Sequence, residues 1–327
     1  MRVFLRTFNN KINSKTGAPL PEGMYRGTPE WLIFQDLLIE CLNELGHKTQ
    51  TYAEHPSKPN AYAWHPDKKI YVHKCKCGQP DGDLFWMQMH MRDLFTIDSN
   101  GWGFDHSKIK YSQSNLEDKA DSTIFCQELS DKLHASGESK CPQPETTEDT
   151  PEKFILVPVQ TPRDYTIKHH SPITVKYFIE SIAAWASENN YHVCFKMHPN
   201  NKGDMDLHDA VDYVANTSRY VRKVEGNIHE LIKRSVGLFV INSGTGFEAL
   251  IHGKPVSTFG DCDYNRVTFN ADIRRLDEAR NFLYGFKDEN KAVMYQFVHY
   301  YYHRHAYCLS LPNVKERLTQ YLKENLV

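Results

Sequence analysis

The chain has 327 residues, with 39 Lys and Arg against 41 Asp and Glu for a formal net charge of −2, and 40% of its side chains are hydrophobic. That is enough apolar material for two ordinary domains and excludes a chain that is disordered overall, while the near-neutral balance excludes a bulk field able to gather nucleic acid or acidic membrane. Eight cysteines exclude a disulfide-rich scaffold; with no apolar signal segment in MRVFLRTFNNKINS and no run of membrane-spanning length, the expectation is a cytoplasmic protein with reduced thiols.

MRVFLRTF reads as an opening strand. GTPEWLIFQDLLIECLNELGHKTQTY then reads as helix, stop and strand. Thr28 is placed to cap, Pro29 suits the first helical position, and Leu32, Ile33, Leu37, Leu38, Cys41, Leu42 and Leu45 keep a helical period up to Gly46. Residues 55–110 are rich in His, Pro, Lys and aromatics and show no clean period. Residues 111–152 are the most polar stretch, with a short helix expected near 121–134 and a linker ending in Pro142, Pro144 and Pro151.

Regular alternation follows. KFILVPVQ (153–160) is a buried strand, and SPITVKYFIESIAAWASENN is a helix with Ser171 and Pro172 as start signals. YHVCFKMHP is the next strand. MDLHDAVDYVAN, YVRKVEG and IHELIKRS read as helix, strand and helix. VGLFVINSGTG is a strand and a turn, followed by the helix FEALIHG and the strand KPVSTFG. This pattern predicts a parallel sheet with helices on both faces. The last residues, from about 288, are helical and aromatic. The domain expectation is an α/β domain at 1–115, a polar linker at 116–152, a second α/β domain at 153–285, and helices at 286–327 that pack back on the first.

Open α/β sheets bind ligands at the carboxyl ends of their strands, and three such ends carry chemistry. The turn Ser243-Gly244-Thr245-Gly246 opens a helix whose free N–H groups and dipole suit an anion. Its glycines would let a phosphate approach, its hydroxyls add donors, and Glu248 could accept from ribose hydroxyls. A plain tight turn is the alternative. In FKMHP, Lys196 and His198 alternate with apolar residues and so share one face of the strand, where two donors suit a phosphate. In VPVQTPRDY, Gln160 and Asp164 reach the same edge. Asp164 could be a general base or nucleophile, or simply cap the next turn.

Gln160-x-x-x-Asp164, Lys196-x-His198-Pro199, and Asn242-Ser243-x-x-Gly246-Phe247-Glu248-Ala249-Leu250 occur in that order. Gly253-Lys254-Pro255-Val256 and Phe259-Gly260 follow them. Together they resemble the bacterial capsule polysaccharide synthesis family, whose characterised members are Kdo transferases. The resemblance spans residues 153–264. It implies two Rossmann-like domains of the GT-B glycosyltransferase type with a central cleft, the second domain taking a nucleotide-sugar and the first the acceptor. It further implies a CMP-sugar donor, His198 on the donor phosphate, the 243–246 turn on the nucleotide, and Asp164 as catalytic carboxylate, a nucleophile in a retaining reaction. The nucleotide-sugar is a substrate, so no cofactor is implied. The family's acidic-Asp-Gly-Phe motif has only a loose counterpart in DSNGWGFDHS (98–107). Asp98, Trp102 and His106 are therefore candidates for sugar or acceptor contact, as Gln160 is, with a hydrophobic loop plug as the alternative.

Other motifs read as structural. The triplets Asp81/Asp83, Asp204/Asp206 and Asp261/Asp263 end no apolar strand of the first domain, so no metal is assigned. His73, Cys75 and Cys77 lack the second cysteine pair a zinc site wants. FVHYYYHRHAYC (297–308) reads as a packing helix. The reading is glycosyl transfer from a nucleotide-activated sugar, such as Kdo or a related acidic sugar, to a polysaccharide or glycolipid. It leaves peripheral membrane contact open and argues against a nucleic-acid partner. The alternatives are a sugar-nucleotide epimerase or glycerol-phosphate transferase of similar architecture, a non-catalytic sugar or nucleotide binding module, and a phage-type nucleic-acid glycosyltransferase.

Overall fold

The computed structural model describes residues 1–7, 29–53, 68–72, 83–99, 119–201 and 203–326. The chain divides into two compact units, Met1–His106 with Tyr302–Val327, and Ser107–Tyr301. The first unit opens with β1 (Arg2–Thr7), α1 (Pro29–Glu44), β2 (Lys48–Ala53), β3 (Lys69–Val72), β4 (Leu84–Gln88) and β5 (Leu94–Asp98). The second runs through α2 (Lys119–Ser136), β6 (Ile155–Val159), α3 (Tyr165–His170), α4 (Val175–Asn189), β7 (Val193–Met197), α5 (Met205–Thr217) and β8 (Val221–Lys223). It continues with α6 (Ile228–Arg234), β9 (Gly237–Val240), α7 (Gly244–Ile251), β10 (Val256–Thr258), β11 (Phe269–Asn270), α8 (Leu276–Tyr284) and α9 (Asp288–Tyr300). The strand β12 (Tyr307–Cys308) and the helix α10 (Val314–Asn325) belong to the first unit again.

The first unit's sheet has the order β12-β5-β4-β3-β1-β2. The strands β4, β3, β1 and β2 run parallel, and β5 and β12 are antiparallel additions. Its core sets Trp31, Phe34, Leu38 and Leu42 of α1 against Trp86 and Phe95, with Leu318 and Leu322 of α10 in the same cluster. The Phe34 and Phe95 rings stack at 4.3 Å. The Trp31 indole N–H donates to Gln88 at 2.8 Å, which satisfies two buried polar groups at once.

The second unit's sheet has the order β11-β10-β9-β6-β7-β8, and every pair is parallel. Counted from its own first strand, β6, this is 3-2-1-4-5-6, the doubly wound order of dinucleotide-binding folds. Residues of β6, β7 and β9 are buried throughout, as strands covered by helices on both faces must be. Ile155, Val157, Phe195 and Phe239 pack with α4, α5 and α8. The helix α4 is capped by Thr174, whose side chain accepts from the Tyr177 N–H, rather than by the expected Ser171. Ser171 instead turns back onto Ile173 through its hydroxyl.

The strand order reverses between β6 and β9. The β6–β7 ladder continues to Val159, whereas the β6–β9 ladder stops at Leu156. Pro158 has no N–H with which to extend it. Beyond that point a side chain takes over: the Asn242 N–H donates to Gln160 Oε1 at 3.0 Å, and Gln160 Nε2 donates to Asn242 Oδ1 at 2.9 Å. Asn242 Nδ2 continues to the carbonyls of Thr166 and His170 at 3.1 and 3.3 Å.

Residues 119–152, read from polarity as mostly linker, are integral to the second unit. The helix α2 lies along α9 and also touches α6 and α7. The strap that follows it is held by hydrogen bonds rather than by apolar burial. Asn227 Nδ2 donates to the Gly137 carbonyl at 2.9 Å, and the N–H groups of Asn227 and Ile228 donate to Thr147 and Gln143, each at 3.0 Å. Gly226, at φ +159°, lies so close to Thr147 that a Cβ there would meet its Cγ2 at 2.6 Å. Nor do residues 286–327 form one C-terminal layer. The helix α9 stays with the second unit, where the Tyr301 hydroxyl donates to Asp263 at 2.6 Å. The strand β12 and α10 join the first, where Lys315 of α10 pairs with Glu40 and Glu44 of α1.

A buried relay fixes the strap's near end. The Glu138 carbonyl can only accept, so His229 Nε2 must donate to it, at 2.8 Å. His229 Nδ1 then accepts from His252 Nε2 at 2.8 Å, and His252 Nδ1 accepts from the Ser130 hydroxyl at 2.7 Å. Burial, reinforced by His229, Lys233, His134 and Lys254, pushes the His252 pKa down to about 3.

Two outcomes follow from this architecture. Gln160→Ala should cost roughly 2–3 kcal/mol in denaturant unfolding, because it leaves Asn242 donors and acceptors unpaired; a loss under about 0.5 kcal/mol would show the pair to be incidental. The depressed His252 pKa also has a sign. Between about 3 and 6.5 the unfolded chain binds the extra proton, so its contribution is complete above pH 6.5 and is lost as pH falls toward 3. The slope approaches about 1.4 kcal/mol per pH unit, and His252→Gln should flatten it in melts run across that range.

Candidate functional site

The carboxyl edge of the second unit's sheet brings together three of the segments singled out in the sequence. The first is the turn after β6. Asp164 Oδ1 accepts from the Thr166 N–H and hydroxyl, both at 2.9 Å, so Asp164 is the exposed N-cap of α3. Its Oδ2 makes no hydrogen bond among the described residues. Gln160 is buried, and both ends of its amide are committed to Asn242. It therefore shapes the edge from within and is not presented for the expected sugar contact.

The second segment follows β7. Lys196 is buried within the strand. His198 leads into a 3₁₀ turn, and its Nδ1 accepts from the Asn200 N–H at 3.0 Å. An imidazole that accepts at Nδ1 carries its proton on Nε2 when neutral. Burial lowers the His198 pKa, Asp164 opposes that shift, and Lys196 and Lys140 add to it. The result is a neutral ring offering an Nε2–H donor. For Lys196 burial again lowers the pKa, with Glu225 and Glu248 as the carboxylates that oppose it. Lys196 is thus one of the cations acting on His198, while different carboxylates oppose the two shifts.

The third segment is the start of α7. The Ser243 side chain accepts from the Thr245 N–H at 3.2 Å and caps an eight-residue helix beginning at Gly244. Two expectations about this turn change. A Cβ on Gly246 would overlap the hydroxyl and ring of Tyr264, whose hydroxyl donates to the Ser243 carbonyl. The glycine is thus required by a buried tyrosine and not by a phosphate's approach. Glu248 is the fifth helical residue and lies outside the first turn. It is buried, and it accepts from the Ser139 hydroxyl at 2.6 Å, so it faces inward to the strap rather than outward to a ribose.

Sequence reasoning missed the strap itself. Ser139 bonds Glu248, and Cys141 Sγ lies 3.9 Å from His198 Nε2. Between them stands Lys140, with Asp164 and Glu248 as its acidic neighbours. No local signal marks these residues, because SGESKCPQP has neither helical nor strand period; only the bonds to α6 and α7 place them.

The remaining candidates fall elsewhere. Asp98 ends β5 in the first unit, paired in register with Phe85. Trp102 and His106 lie outside the described residues, as do His73, Cys75 and Cys77. Of the aspartate triplets, Asp83 accepts from the Lys69 N–H at 2.9 Å, Asp204 caps α5, and Asp263 accepts from Tyr301. Among the described residues no group of three metal-ligating side chains occurs. A groove of about 700 Å³ between α4 and α5, lined by Lys176, Glu180, Ala183, Asp206, Asp209 and Tyr213, contains none of the site residues.

Comparison with known proteins bears on the family and the fold. FixF of Sinorhizobium fredii is 35% identical over 137 residues, 38% of this chain and 32% of its own length, so the likeness takes in about a third of that relative. Among solved structures, the β-Kdo 2,7 transferase of Thermosulfurimonas dismutans KpsC superposes with a TM-score of 0.53 at 15% identity, covering 99% of each chain. The β-Kdo 2,4 transferase of the same KpsC gives 0.44 at 14% identity over 89% of each. The first of these shows the fold, two Rossmann-like α/β domains of the GT-B type. Residues 106–307, more than half of the chain and with them every element of the edge just described, match the capsule polysaccharide biosynthesis protein family, to which this chain belongs.

Proposed function

We propose that the chain is a glycosyltransferase that moves a sugar from a nucleotide-activated donor to a saccharide or glycolipid acceptor. One observation carries this reading: His198, its Nδ1 held by Asn200, offers a neutral Nε2–H beside Lys196 and Asp164 at the carboxyl edge of a doubly wound sheet. Such an edge is where nucleotides bind, and a fixed donor with a neighbouring ammonium suits a departing phosphate. The N-terminus of α7, capped by Ser243, adds a favourable dipole. The capsule polysaccharide biosynthesis family points the same way.

The finer assignment is a CMP-sugar, Kdo or a related acidic sugar, transferred with retention. Asp164 Oδ2 attacks the anomeric carbon as the bond from that carbon to the phosphate oxygen breaks. The nucleotide leaves with the bonding pair, and His198 and Lys196 meet its charge. The acceptor hydroxyl then attacks the same carbon, Asp164 leaves with its electron pair, and the hydroxyl proton passes to water. Two inversions give retention. No cofactor enters this scheme, and no metal is assigned to it. Among the described residues no helix is long and apolar enough to cross a membrane, so a glycolipid acceptor would be met at a membrane surface.

Thermal shift with CMP, CDP, UDP and GDP tests the donor. CMP at about 100 times its dissociation constant should add roughly 2.7 kcal/mol of stability. Shifts with none of the four overturn the reading. Selectivity for UDP, with turnover of a UDP-sugar in the absence of acceptor, replaces it with an epimerase. The chemistry is tested by Asp164→Asn, which keeps a good helix cap and should lower transfer roughly 10⁴-fold with nucleotide binding intact. His198→Ala should lower it about 10²- to 10³-fold. Full transfer by Asp164→Asn removes that residue as nucleophile.

A further inference from the structure

We infer that Lys140 is a third ligand of the donor phosphate, carried to the sheet edge by the strap and acting beside Lys196 and His198. The inference rests on the donor reading given above. Its geometry comes from the two neighbours of Lys140. Ser139 is bonded to Glu248 of α7 at 2.6 Å, and Cys141 lies 3.9 Å from His198 Nε2 at the end of β7. One residue between two such contacts is held in the space between the second turn of α7 and the His-Pro turn. The phosphate is assigned to that same space.

The strap's construction supports this. It is polar, and only Ser139 of residues 137–148 is buried, so apolar burial cannot account for its order. It is held instead by paired hydrogen bonds along its length: Gly137 to Asn227, Glu138 to His229, Gln143 to Ile228, Thr147 to Asn227, and Glu148 to Glu225. Gln143 takes the Ile228 N–H and the Asn227 cap takes that of His229, so the start of the short helix α6 is already occupied. The helix α7 is treated differently. There the strap contributes Ser139 to the helix interior at Glu248 and leaves the capped N-terminus to Ser243.

The charges are consistent with the assignment. Lys140 faces Asp164 and Glu248, the carboxylates next to His198 and Lys196 respectively. Partial burial disfavours its ammonium form, and those carboxylates favour it. A phosphate dianion placed between Lys140, Lys196 and His198 would favour it further. A cation so confined needs little reorganisation to meet charge that develops on a leaving group.

The test is calorimetric titration of CMP, UDP and GDP, and of the matching nucleosides, into the wild type, Lys140→Met and Lys140→Arg. Methionine keeps the stem and removes the charge; arginine keeps the charge. Melting curves of all three proteins establish that each is folded. The expected result is that the nucleotide bound by the wild type loses roughly 10- to 100-fold in affinity in Lys140→Met. Lys140→Arg should recover most of that loss, and binding of the nucleoside should not change. Equal nucleotide affinity in wild type and Lys140→Met overturns the inference and leaves the donor reading standing. A parallel loss of nucleoside and nucleotide also overturns it, since that marks a structural role. If none of the three nucleotides binds the wild type, the donor reading fails and the inference falls with it. An unfolded Lys140→Met leaves Lys140→Arg as the deciding variant: arginine holding the nucleotide within a few-fold of wild type supports a charge role, and a loss as large as that expected for methionine overturns it.

Discussion

Two strands that start as neighbours must part for a doubly wound sheet to hold a ligand, and the hydrogen bonds between Gln160 and Asn242 set how far β6 and β9 do so. Pro158 ends the backbone ladder early, and a side-chain amide then closes the gap at one point only. Every candidate group hangs from that junction. Asp164 follows Gln160 by four residues, and Ser243 follows Asn242 directly. Asn201, beyond His198, donates from its side chain to the Gln160 carbonyl at 3.3 Å. The three segments are thus held to one another by amides that are themselves buried, which is the support that a site needing fixed donors requires.

The electrostatics of the edge follow from burial. Lysines and carboxylates are rarely both taken from water unless they compensate each other. Here Lys196 is set against Glu225 and Glu248, and Lys140 against Asp164 and Glu248. The balance keeps a cluster of cations tolerable within a folded domain of nearly neutral charge. It also separates the two carboxylates. Glu248 is buried and bonded to the strap, whereas Asp164 is exposed with one oxygen committed to a helix cap. A carboxylate thus does packing in one place and stands accessible in the other.

The strap shows how a polar segment becomes part of a domain. Its order depends on the relay from Ser130 through His252 and His229 to Glu138, and on backbone donors at the start of α6. None of these bonds buries much apolar surface, so the segment has no hydrophobic period to detect. The relay also ties α2, α6 and the end of α7 into one polar core. Within it, His252 stays neutral because burial, with cations such as Lys233 and Lys254 nearby, disfavours a charge there.

Local pattern was sufficient for the main alternating strands and helices of residues 153–260, though not for α3, β11 or α8, because a strand buried on both faces or a helix buried on one writes its period into the chain. It was sufficient, too, to place Gln160, Asp164, Lys196, His198 and the 243–246 turn at strand ends, since a parallel sheet puts all such ends on one edge. What each of them does there was decided by partners distant in the chain. Gln160 is consumed by Asn242, 82 residues away, Gly246 answers to Tyr264, and Glu248 is claimed by Ser139, 109 residues away. The residues of the strap, and the division of the C-terminal segment between the two units, left no trace in composition or spacing. Hydrogen bonds between remote polar residues impose no period, so only the tertiary structure could reveal them.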